Sequence, residues 1–170
     1  MTAGLDLAQS QAYMRGNNVD ATETQRRSVA TMPSLEELSF AVNATEEWID
    51  DLSRRLGWSD RERVYLVLLA SLHALRDAVA RDEAVYIGAQ LPPLLRGLYY
   101  EGWHPSTRPA IRSRAAFLER IHDGVHRDAG VDAEKVARAV FALLAARLPA
   151  AEVEDAKAST PKQLHNLWPS

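Results

Sequence analysis

A chain that can be laid on itself after one fixed shift has few folds open to it. Moved by 69 residues, Trp48, Leu52 and Leu56 fall on Phe117, Ile121 and Val125, and Val67, Ala70, Leu72 and Leu75 fall on Val136, Ala139, Phe141 and Leu144. Val79, Glu83, Ala89, Pro92, Leu95, Leu98 and Tyr99 then fall on Leu148, Glu152, Ala158, Pro161, Leu164, Leu167 and Trp168. The matched positions are mostly apolar and at helical spacing, the pattern of two copies that share a core plan. No alternating run of β-branched residues and no Asn-Gly or Asp-Gly hairpin turn interrupts them. The predicted class is all-α, a helical bundle of two tandem copies of a three-to-four-helix unit.

Residues 1–33 read as a flexible tail, polar and without sustained periodicity of either kind. The first copy then spans 34–104 and the second 105–170, joined through "YEGWHPSTRPAIRS" with Gly102, Pro105 and Pro109 as breakers. Ser34 and Glu37 form a capping box ahead of the stripe Leu35, Leu38, Val42, Thr45, Ile49, Leu52 and Leu56. A break near Asn43–Thr45 reads equally well, because both side chains are good caps and Glu46, Glu47, Asp50 and Asp51 then sit at a helix start. Ser59 is the predicted cap of the next helix, with Glu62 three residues on. In the second copy Asp132 takes that role after a longer loop, which shortens the second long helix by about one turn. Pro92 and Pro161 suit the first turn of a terminal helix, and Ser159 and Thr160 supply caps before the second one.

The copies differ where function is most informative. "RERVYLVLLASLHALRDAVA" is apolar on nearly every side, so it reads as the central pillar, or else offers one face to an oligomer. Lys135 and Arg138 replace Leu66 and Leu69 in the second long helix, which is amphipathic. After the short helix the first copy runs "AQLPPLLRGLYYEGWHP", the second "ASTPKQLHNLWPS". Gln90, Arg96, Tyr100, Glu101, Trp103 and His104 have no counterpart of the same chemistry. They are the candidate binding residues, since aromatics with a polar handle beside an arginine are what binding surfaces favour. The plainer reading has Tyr100 and Trp103 covering the seam between the copies.

Composition closes several classes. Net charge is −3, so no global field recruits nucleic acid or anionic membrane. The chain has 0 cysteines, which excludes disulfides, thiolate metal sites and cysteine nucleophiles. No apolar run approaches the ~20 residues of a membrane span. The opening "MTAGLDLAQSQAYMRG" lacks a basic start and an apolar core, so no signal peptide is read and a cytoplasmic location is expected.

Two local pairings involve histidine. His122 and His126, four apart on one predicted helix, have the spacing of a helical zinc site, but no third ligand is evident. His73 and Asp77 on the central helix are within hydrogen-bonding reach, a geometry open to a general base, yet no nucleophile pairs with them. Arg76 between them has Glu83 or a helix C-terminus as partners. No catalytic residue, metal or cofactor is assigned.

Trp48, then "LGWSDRERVYLVLLASLHALRD", then "AQLPPLLRGLYYEGWHP" and the closing "LHNLWPS" resemble the bacterial domain of unknown function 2267. The resemblance covers about Phe40 to Ser170 and is carried most specifically by "AQLPPLLRGLYYEGW". It implies a small, all-helical, internally duplicated cytoplasmic domain and brings no activity, cofactor or catalytic residue with it. The functional expectation is a non-enzymatic interaction or scaffold domain that binds a protein partner through the aromatic rim. The rival is a small-molecule binder or enzyme whose pocket between the copies uses His73, Arg76, Gln90, Arg96 and Glu101. A homo-oligomer built on the apolar central helix is the third reading.

Overall fold

A computed structural model describes residues 34–105 and 109–170, so the expected tail lies outside the described residues. The chain forms two compact units, Met1–Phe40 and Ala41–Ser170. Of the first, the described part is the capped opening of α1 (Leu35–Leu56), where Leu35, Leu38 and Phe40 are exposed. The capping box is formed: Ser34 N–H donates to Glu37 Oε2 (2.6 Å), and Glu37 N–H donates to Ser34 Oγ (3.2 Å).

All regular secondary structure among the described residues of the second unit is helical. The order is the remainder of α1, α2 (Arg61–Ala78), α3 (Arg81–Gln90), α4 (Pro93–Tyr100), α5 (Arg114–Gly124), α6 (Ala133–Arg147), α7 (Ala150–Ser159) and a 3-10 helix (Lys162–Leu167). α2 is the pillar: Val64, Val67, Leu68, Leu72 and Leu75 are fully buried, and α3, α4, α5 and α6 all pack on it. α3 packs against α7, which joins the ends of the two segments. One apolar core runs from Trp48 to Trp168. α2 and α5 approach closely, so that a Cβ on Gly124 would lie 2.6 Å from the Cβ of Ala70.

Local rules account for most boundaries. α1 ends on Gly57 in the left-handed region (φ +71), with Gly57 and Trp58 N–H both donating to Ser53 O. Asp132 caps α6 as expected, its carboxylate accepting from Glu134 and Lys135 N–H. α6 has 15 residues against 18 in α2, the predicted loss of about one turn.

Several expectations are corrected. α1 does not break at Asn43–Thr45; Thr45 Oγ1 donates back to Ala41 O (2.9 Å), and a continuous helix buries Trp48, Leu52 and Leu56. Glu46, Glu47, Asp50 and Asp51 are therefore mid-helix, where Asp51 pairs with Arg55 (3.1 Å) and Arg147 (3.2 Å) and Asp50 pairs with Arg61. Asp60, not Ser59, caps α2 by accepting from Arg63 N–H. Pro92 and Pro161 stand at the cap positions of α4 and the 3-10 helix, just outside the first turn. Neither Ser159 nor Thr160 caps the 3-10 helix. Ser159 Oγ accepts from Ala80 N–H (3.0 Å), and Thr160 Oγ1 donates to Lys157 O (2.6 Å).

Candidate functional site

The last carbonyls of a helix lack partners, and this sequence fills two such ends with arginine. At the end of α3, Arg96 donates from Nε to Gly88 O (2.9 Å) and from Nη2 to Ala89 O (2.9 Å) and Leu91 O (3.2 Å). A cation at that end also meets the negative pole of the helix dipole. Tyr100 lies on the same helix: its hydroxyl donates to Val85 O (3.2 Å) and occupies the place a Cβ on Gly88 would need. Burial pushes its phenol upward in pKa, offset in part by Arg96. Tyr99 is fully buried, donates to Ala84 O (2.9 Å) and is pushed up further, chiefly by burial.

The end of α4 is closed from α2. Arg76 is 5% exposed; its Nη1 donates to Tyr99 O (2.6 Å) and Glu101 O (3.3 Å), and its Nε to Asp77 Oδ1 (2.9 Å). His73 Nε2 donates to Leu98 O (2.8 Å). Burial lowers the pKa of His73, opposed by that hydrogen bond; the charges of Arg76 and Arg120 lower it further. The expected His73–Asp77 hydrogen bond is not formed. Asp77 instead bridges Arg76 and Arg120 (3.3 Å), tying α2 to α5. Of the two partners offered to Arg76, the structure selects the helix C-terminus.

The six candidate residues do not converge. Tyr100 and Glu101 edge a shallow open groove on the outer side of α4, with Pro93, Leu94, Gly97 and Leu98. Trp103 and His104 line a cavity of about 40 Å³ with Arg76, Asp77, Val79, Arg81, Pro109 and Ala110. Gln90 is exposed and lines neither; Arg96 is occupied on α3. Trp103 is half-buried and stacks on Tyr100 with ring centres 5.5 Å apart. His104 is exposed, its Nδ1 3.1 Å from Gly102 O. The pocket proposed for His73, Arg76, Gln90, Arg96 and Glu101 together is therefore not assembled. Arg76 alone of that set reaches the small cavity.

Sequence reasoning missed the exposed apolar residues Val85 and Tyr86 on α3 and Leu94 on α4, at 47%, 60% and 43% exposure. Their signal was present: "RDEAVYIGAQ" places Val85 and Tyr86 on the side opposite Ala84 and Ile87. His122 and His126 do not share one helix as predicted. α5 ends at Gly124, and His126 lies beyond it, exposed, in the left-handed region at φ +55. Among the described residues no group of three or more His, Asp or Glu is placed to hold a metal.

Residues 45–167 match the model of an uncharacterized conserved protein family, DUF2267. The chain belongs to the DUF2267 family. The match opens at Thr45, the first buried residue of α1, and closes at Leu167, the end of the 3-10 helix. The DUF2267 region thus takes in the whole core except Trp168, and both the groove and the small cavity lie within it. No curated protein matches the chain. Among the described residues no helix is long and apolar enough to cross a membrane.

Proposed function

We propose that the chain is a cytoplasmic, non-enzymatic interaction domain, duplicated in plan, that docks a protein partner on the outer face of α3 and α4. One observation carries this reading. Among the described residues from 41 onward the exposed large apolar side chains are Val42, Val85, Tyr86 and Leu94, and none lies between 113 and 170. Leu94 borders the α4 groove, where a Cβ added to Gly97 would meet nothing within 4 Å, and the Val85 carbonyl accepts from Tyr100, which lines the same groove. Clustered apolar exposure on one face of an otherwise polar surface marks an interaction site. An amphipathic helix that lays apolar side chains into the groove fits it. The non-enzymatic part is supported by the use of the polar candidates: His73 and Arg96 bond helix-terminal carbonyls, and Arg76 bonds two more carbonyls and Asp77, which leaves only one edge of its guanidinium open.

A benzophenone side chain in place of Leu94 tests the surface, with one in place of exposed Lys135 as control. The expected result is a light-dependent adduct with a partner of defined mass from position 94 alone, weakened by Val85→Ser and Tyr86→Ser. An adduct with a second copy of the chain would replace the partner reading with self-association. Equal adducts from both positions, or none, would overturn it.

A further inference from the structure

The small cavity is a separate feature from the groove. Its floor is Arg76, whose side chain is 4% exposed, and its walls come from the ends of α2 and α3 and from both sides of the inter-segment linker. Arg76 Nε is taken by Asp77, and Nη1 by the carbonyls of Tyr99 and Glu101. Among the described residues Nη2 has no hydrogen-bond partner. Nη2 is not sealed from solvent, so this edge of the guanidinium opens on the cavity, where an acceptor oxygen can meet it in place of water.

Three further features point to a negative occupant. Arg81 and His104 also line the cavity. Arg81 is the first residue of α3, whose start has no side-chain cap: the cap residue Ala80 gives its own N–H to Ser159 Oγ, and the following amides keep their positive pole. Charge at the site also runs positive. Asp77, the one carboxylate in the lining, is shared by Arg76 and Arg120, while Arg81 meets Asp82 at 3.2 Å on the exposed side. In the lining itself two guanidiniums, Arg76 and Arg81, stand against the one carboxylate of Asp77, with His104 in addition. Trp103 and Pro109 supply an apolar wall. The volume exceeds that of a single water and suits a group of a few heavy atoms.

We propose that the cavity between the end of α2, the start of α3 and the linker residues Trp103, His104, Pro109 and Ala110 binds a small oxyanion. The ligand group is a carboxylate or a phosphate, met by Arg76 Nη2 below, Arg81 at the mouth and the His104 ring at the side. Asp77 positions Arg76 and does not touch the ligand. The site needs both segments of the chain, because Pro109 and Ala110 come from the linker that Ile111 N–H fastens to Asp77 O (3.0 Å).

The test titrates sodium acetate and, separately, sodium phosphate into the ¹⁵N-labelled full chain at constant ionic strength. The readout is the indole N–H of Trp103, assigned with Trp103→Phe. A saturable shift of that resonance with either ion is expected. Saturation with acetate alone assigns a carboxylate, and with phosphate alone a phosphate group. Arg81→Gln and His104→Ala change exposed residues, so the fold is kept; each is expected to weaken binding about tenfold, one charge-assisted hydrogen bond. Arg76→Lys keeps the charge but removes the open Nη2 edge, and is expected to abolish the shift while the amide spectrum stays dispersed. No saturable shift with either ion up to about 100 mM overturns the proposal. Unchanged affinity in both Arg81→Gln and His104→Ala does so as well.

Discussion

Arg76 and Arg138 perform one task in opposite surroundings. Each stands on a long helix and closes the carbonyl end of the terminal helix of its segment: Arg76 on Tyr99 and Glu101, Arg138 on Asn166 O (2.5 Å). The Arg76 side chain is 4% exposed and shares a network with Asp77, Arg120 and His73 beneath α4. The Arg138 side chain is 46% exposed and pairs with Glu134, which also binds Arg114 (2.7 Å). These ion pairs hold the Glu134 carboxyl below the usual carboxylate range. The difference follows from α2 being the pillar and α6 an outer helix. Similar contacts carry different weights: an arginine inside the core has no water to replace a lost partner, and one at the surface does.

The largest effect should come from Arg76→Met. It leaves Asp77 without its closer partner and two α4 carbonyls without donors, an expected loss of about 3–5 kcal/mol in urea unfolding. Arg138→Met is expected to cost at most about 1 kcal/mol, and less at high salt. Equal losses would show that burial is not what separates the two caps.

Gly124→Ala comes next. The new Cβ would press on Ala70 where α5 packs closely on α2, for an expected loss of about 1–3 kcal/mol by the same measurement. The residue 69 positions earlier is Arg55, on α1, so the close approach belongs to α5 on α2 and not to both segments. A neutral Gly124→Ala would mean that the two helices can separate freely.

His126→Gly is expected to stabilise by about 1 kcal/mol, read as a raised melting temperature. Gly57 ends α1 at φ +71, and 69 residues later His126 takes a similar conformation at φ +55 with a Cβ. Loss of stability instead would show that the imidazole makes a contact worth more than the strain.

The smallest effect is one of pH. The folded state lowers the pKa of His73 below its ordinary 6.5, so at pH values just under 6.5 the unfolded chain binds the extra proton. The stability from neutral His73 is whole above 6.5 and is lost as pH falls through that value towards the folded one. His73→Gln should flatten this acid-side slope in melting experiments; an unchanged slope would place it in other groups.

The architecture was legible because its signals are local. The Ser34–Glu37 box, the Asp132 cap, the shortened second long helix and the stripe through Trp48, Leu52 and Leu56 all rest on contacts within one or two helical turns. The site was legible only in part. Arg96, Tyr100 and Trp103 stand out in the sequence by their chemistry; in the structure Arg96 and Tyr100 stitch α4 to α3, while Trp103 and His104 wall the cavity. Val85, Tyr86 and Leu94 were passed over because apolar residues on short helices look like core until the neighbours are placed.

What the sequence by itself determined was the class, the order of helices and the caps at Ser34 and Asp132, since helix spacing and capping are settled within about four residues. The tertiary structure decided which polar group meets which. Arg76 finds carbonyls 23 and 25 residues away, and His73 finds one 25 away, where Asp77 four residues on was the local choice. A long charged side chain goes to the carbonyl that has lost its helical partner, and only the packing of α4 against α2 brings that carbonyl within reach.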